Sequence, residues 1–101
     1  MPEPSAAVAL LQQRLRLVAE LSALNAEALK CNQRIGGLEM DLQRLELAEA
    51  PPETDAAAED DVAFYEGELA TAEAALADCH RRLADVEDAV ADIDRALAAL
   101  R

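Results

Sequence analysis

Between Val62 and Leu100 the apolar residues recur at intervals that alternate three and four without a slip. They are Val62, Tyr65, Leu69, Ala72, Leu76, Cys79, Leu83, Val86, Val90, Ile93, Leu97 and Leu100. This is a heptad repeat with both seam positions apolar, the sequence form of a coiled-coil helix. Calling Val62 position a makes Tyr65 position d, and the frame holds to the last residue. Ala, Leu, Glu, Asp and Arg dominate the chain, which is a long-helix composition. Three glycines and four prolines are too few for the many turns of an all-β or α/β domain.

A second heptad lies upstream. Leu17, Leu21, Leu24, Ala28, Cys31, Ile35, Leu38, Leu42 and Leu45 keep the same alternation, with Leu17 at d and Leu21 at a. Ahead of Leu17 the frame is less clean, because Val8, Leu11, Leu15 and Val18 form another apolar stripe, extended by Leu29. Leu11 and Val18 are e positions, and Leu15 and Leu29 are b positions, which adjoin around a helix. Beyond Leu29 this stripe stops, since Asn32, Glu39 and Glu46 occupy e. Gly36 and Gly37 fall at b and c, each costing about 1 kcal/mol in a helix interior.

Pro51-Pro52 separates the two patterns. Proline lacks an amide and clashes with the preceding turn, so the first helix must stop by Ala50. The sequence therefore predicts a disordered leader over 1–4, a first helix over 5–50 capped by Ser5, a turn over 51–54 and a second helix over 55–101. Thr54 or Asp55 can cap the second helix, and Glu53, Asp55, Glu59, Asp60 and Asp61 suit the positive end of its dipole. Two long helices joined by a short connection fold back on each other. The expected fold is all-α, a single-domain antiparallel coiled-coil hairpin roughly 65 Å long. Its layers pair residues whose numbers sum to 107, such as Leu24 with Leu83 and Leu38 with Leu69. A hairpin buries one stripe per helix, so it is expected to join a larger helical bundle with itself or a partner.

The formal net charge is −12. Gripping nucleic acid requires clustered Lys and Arg, so direct contact with it is not expected. No run is long and apolar enough to span a membrane, and the first residues carry no basic region ahead of an apolar one. The expected location is cytoplasmic, without a membrane contact. Cys31 and Cys79 occupy seam positions and read as small buried hydrophobes; two cysteines make no disulfide framework.

Two surfaces are candidates for function. In the second helix every b position from Ala63 is alanine, including Ala84, Ala91 and Ala98. In an antiparallel pair the e and b sides of both helices share a flank. Leu11, Leu15, Val18 and Leu29 then face this alanine column across a shallow apolar groove, open to a further helix of a protein partner or a second copy. The other surface is acidic. Eleven acidic residues and no Lys or Arg lie between Leu45 and Cys79. Glu53, Asp55, Glu59, Asp60 and Asp61 concentrate near the turn, with Phe64 pointing outward as an anchor.

In outline alone, an antiparallel finger with an acidic tip, the chain resembles transcript-cleavage factors of the Gre type. Those factors insert such a finger into RNA polymerase to hold a metal ion; the tip here carries no motif of theirs. The absence of tryptophan and the Pro-Pro turn separate it from the small secreted hairpins with a Trp-x-Gly turn. Enzyme chemistry has no foothold. His80 is the only histidine, Cys31, Cys79 and His80 lack a fourth metal ligand, and adjacent Asp60 and Asp61 point apart on a helix. No catalytic residue, metal or cofactor is expected. The expected function is that of a non-enzymatic structural or adaptor subunit acting through the groove. The alternative is a regulator that inserts its acidic tip into a basic or metal-bearing site of a large enzyme such as RNA polymerase.

Overall fold

Ser5 starts the first helix. Its hydroxyl accepts the Val8 amide at 3.1 Å and its carbonyl accepts the Ala9 amide at 3.1 Å, the two bonds of an N-cap. The computed structural model describes residues 5–47 and 55–101. It is an all-α helical hairpin of two long helices packed against each other, α1 (Ala6–Leu47, 42 residues) and α2 (Asp55–Ala99, 45 residues). The two helices lie either side of Pro51-Pro52. The leader over 1–4, the end of the predicted first helix over 48–50 and the turn over 51–54 lie outside the described residues. α2 stops at Ala99 rather than 101, because Leu100 donates to the Leu97 carbonyl and Arg101 to that of Ala98, tightening the last turn.

The packing divides into two compact units, each built from a stretch of both helices. The first contains the described residues up to Glu27 together with Cys79–Arg101. Its centre is a cluster of Leu24, Leu83 and Val86, all buried, with Leu17, Leu21 and Val90 packed against them. These six residues are three successive layers of the predicted pairing: Leu24 with Leu83, Leu21 with Val86, and Leu17 with Val90. Ile93 and Cys79 are also buried here. The seam does not stop at Leu17. Leu10 and Arg14, the next d and a positions, are half-buried, and so is Ala7. Leu100, counted in the seam from its spacing, is instead 53% exposed, since it lies beyond the end of α2.

The second unit is Ala28–Asp78. Ala28, Leu38, Leu42 and Ala72 are buried, while Cys31, Ile35, Leu45, Val62, Tyr65, Leu69 and Leu76 are half-buried. Every seam position described in this unit is thus shielded to some degree. Arg34 donates to Glu68 across the helices; both are g positions, and g meets g on the flank of an antiparallel pair. In the first unit Arg82 and Glu27, again both at g, approach at 3.7 Å. No buried polar side chain and no strand occur among the described residues. Neither cysteine forms a disulfide, and the Cys79 thiol donates to Glu27 at 3.8 Å.

Gly36, Gly37 and Gly67 are helical without positive φ, and a Cβ built on any of them meets nothing within 4 Å. The chain's own packing therefore does not require glycine there.

Leu83→Ala is expected to cost about 2–5 kcal/mol in urea unfolding, because it opens a cavity in the Leu24 cluster. Asp88→Ala, on the exposed side of the same helix, is expected to change stability by about 0.5 kcal/mol or less. Equal effects would contradict the register. Gly37→Ala is expected to raise stability by about 0.5–1 kcal/mol, since alanine is the better helix former and has room.

Candidate interaction surface

In α1 the rows that adjoin the seam on one side are e, then b, then f. From Val8 to Ala26 these rows hold Val8, Leu11, Gln12, Leu15, Val18, Ala19, Ser22, Asn25 and Ala26. None is charged and all are exposed. The charges of this stretch sit elsewhere: Arg16, Glu20 and Glu27 on the c and g rows, and Arg14 in the seam. Among the uncharged rows, Val8 is 42%, Leu11 54%, Leu15 72% and Val18 39% exposed. Their 3-4-3 spacing places them on one continuous stripe.

The structure brings this stripe into the same unit as Ala84, Ala91 and Ala98, which are also exposed. Two carboxylates that sequence reading passed over, Glu87 and Asp94, occupy the e positions of α2 between the leucine and alanine columns. Around this flank an apolar stripe on α1 is thus followed by a charged row and then a row of small residues on α2. Leu29 is 58% exposed and belongs to the other unit.

Asp94 is held from the seam. Arg14 donates through Nε to Oδ1 at 2.8 Å and through Nη2 to Oδ2 at 3.4 Å, a two-pronged contact between the helices. The register sets Arg14 opposite Ile93, which is buried, so the apolar stem lies at the seam while the guanidinium reaches its rim. The hydrogen bond from Arg14 holds the Asp94 carboxyl below the usual aspartate range against an opposing effect of burial, and the same bond raises Arg14. The sign of the heptad step reveals the site: seven residues back from Leu21 is Arg14. A charged residue at an apolar position breaks the stripe that the eye follows.

The acidic surface belongs to the second unit. Glu59, Asp60 and Asp61 are exposed, and Phe64 is 62% exposed with its ring edge-on to Tyr65, centroids 5.5 Å apart. Met40 and Leu47 are exposed as well. Glu53 lies outside the described residues, and Asp55 opens α2 with its side chain outside them. Charge is divided unevenly along the chain. Residues 28–78 hold three basic and thirteen acidic side chains, a net −10; residues 1–27 and 79–101 hold six and eight, a net −2.

Among the described residues no group of three His, Cys, Asp or Glu side chains is placed to hold a metal ion, and no helix is long and apolar enough to cross a membrane. No protein-family model matches the chain, and neither does any curated protein or solved structure.

The Arg14–Asp94 contact has a pH signature. A carboxyl depressed in the folded state stabilises it fully above the ordinary value of 3.8 and loses that effect as pH falls through the lower folded value. The difference in Tm between the parent and Asp94→Asn is expected to be largest at neutral pH and to close in acid. A difference independent of pH would show that the contact does not persist in solution.

Proposed function

We propose that this protein is a non-enzymatic coiled-coil interaction subunit, working through the flank that carries Leu11, Leu15 and Val18. The observation that carries the reading is the run of uncharged, exposed side chains on one side of α1 over five turns, bordered along the seam by a single charge, that of Arg14, which is bound to Asp94. Single exposed leucines are ordinary on a protein surface; a contiguous apolar stripe on a helix marks a face that another helix covers. The paired seam orders the flank in advance, which lowers the ordering cost of binding. On this reading the contact is made by the α1 stripe; the Arg14–Asp94 pair stands at its rim and the alanine column of α2 lies outside it.

A second reading rests on the charge division. The net −10 over residues 28–78, with Phe64 exposed among carboxylates, suits docking of that segment on a basic site of a large partner. The two readings place binding on different residues.

A photo-reactive amino acid at position 15, in the chain expressed in its own cell, is expected to give discrete protein adducts that one at Gln33 does not. Adducts lost on Leu11→Glu with Val18→Glu and retained on charge reversal of Glu59, Asp60 and Asp61 support the flank. The opposite pattern moves the function to the acidic segment, and no adduct at position 15 overturns the flank.

A further inference from the structure

The exposed stripe of α1 is a palindrome in both identity and spacing. Val8, Leu11, Leu15 and Val18 read Val-Leu-Leu-Val at steps of three, four and three. We infer that the occupant of this flank is a second copy of this chain, docked antiparallel with α1 on α1 about a two-fold axis near Gln13. The inference rests on the flank reading above and names its partner.

A two-fold contact pairs residue i of one copy with residue j of the other and j with i. For antiparallel helices related by an axis at residue 13, paired numbers sum to 26. Val8 then meets Val18 of the second copy, and Leu11 meets Leu15, giving four apolar layers with the same three-four alternation that builds the seam. A stripe with its large residues at one end, or with uneven spacing, would not close on itself in this way.

Charge selects the same arrangement. With α1 on α1, the facing e, b and f rows carry no charged side chain from Val8 to Ala26 on either copy. With α1 on α2, the stripe would cover Glu87 and Asp94 at e and Asp88 and Arg95 at f, all exposed in the single chain, Asp94 and Arg95 being ion-paired to its Arg14 and Asp92. Burying them without new partners is unfavourable. Asp94, the carboxylate nearest the stripe, is already held by Arg14, so a paired group stands at the rim of the contact. The stripe also belongs to the segments of net −2, whereas association through residues 28–78 would oppose a net −10 on each copy.

Four large side chains per copy place the contact at the small end of specific interfaces, so micromolar dissociation is expected. Sedimentation equilibrium of the intact chain from micromolar to millimolar concentration tests this. The parent is expected to pass from the mass of one chain to that of two. Leu15→Glu with Val18→Glu is expected to keep its helical circular dichroism and remain at one chain mass throughout. Ala91→Arg is expected to leave the dimer intact, because α2 lies outside the contact. The pairing itself is tested by a charge pattern. Leu11→Glu with Leu15→Lys sets opposite charges against each other in both central layers. Leu11→Lys with Leu15→Lys sets like charges there, and is expected to dimerise at least tenfold more weakly. A parent that stays at one chain mass overturns the second copy as occupant, and adducts of position 15 with a different protein would then leave the flank reading standing. Equal dimerisation of the two charge patterns, or loss of the dimer in Ala91→Arg, overturns the antiparallel α1 contact.

Discussion

One apolar seam per helix is all that this chain has to fold with. The nine buried hydrophobic residues, Leu24 and Leu83 among them, all sit at a or d positions, and no buried polar side chain accompanies them among the described residues. A globular core would draw on side chains from several directions; here each layer has two contributors and is open on both sides. Stability is therefore spread thinly along the helices and depends on length, since an isolated helix is marginal in water and gains most from what its apolar stripe covers. The cluster of Leu17, Leu21, Leu24, Leu83, Val86 and Val90 shows the pairing at work in three consecutive layers.

A seam of leucine and alanine attracts but does not discriminate well between alignments, since sliding by a heptad replaces one apolar pair by another. The charged flanks supply the discrimination. Glu27 with Arg82 and Arg34 with Glu68 join g to g, a contact that a parallel pairing does not make. Arg14 adds a polar position inside the seam, and its fork matches Asp94 in only one alignment. Exposed ion pairs of this kind contribute little to stability, typically about 0–1 kcal/mol. Their effect is on which alignment wins: a slip of one heptad sets Glu27 against Ala75 or Ala89 in place of Arg82, and sets Arg14 beside Glu87 or Arg101 in place of Asp94.

The period carried most of the fold, and this explains what could be read and what could not. Alternation of three and four fixes a helix, its buried face and, once a proline pair divides the chain, a partner for each layer. The places of Leu24, Leu38 and Leu83 follow from that alone, and the cap follows from the hydroxyl of Ser5. Leu10 and Arg14 are not legible as seam residues, because Arg14 interrupts the apolar spacing between Leu10 and Leu17 and near the start of α1 the b and e stripe is more apolar than the seam beside it. Leu100 is the converse case: its spacing fits the seam, but α2 ends at Ala99 and the side chain is exposed. Glu87 and Asp94 do not show in an apolar pattern, because they occupy the e row between the α1 stripe and the alanine column.

The uncharged flank is harder to attribute to folding than any other feature. Pairing with α2 requires apolar a and d residues and tolerates any soluble choice at e, b and f, so a helix selected for the hairpin alone would scatter its charges over both sides. In α2 that is what occurs, with Glu87, Asp88, Asp94 and Arg95 in those rows and alanine at b. In α1 the same rows hold branched aliphatics, amides, a serine and alanine from Val8 to Ala26. Neither helix propensity nor solubility prefers valine and leucine to glutamate and lysine at exposed helix positions. Leu15, 72% exposed, lends nothing to the seam it stands beside, and its exposure is a standing hazard unless something covers it. A flank kept free of charged residues, with a matched Val-Leu-Leu-Val stripe along it, is thus the feature that the fold itself does not use, and it is on this surplus that the proposed second contact rests.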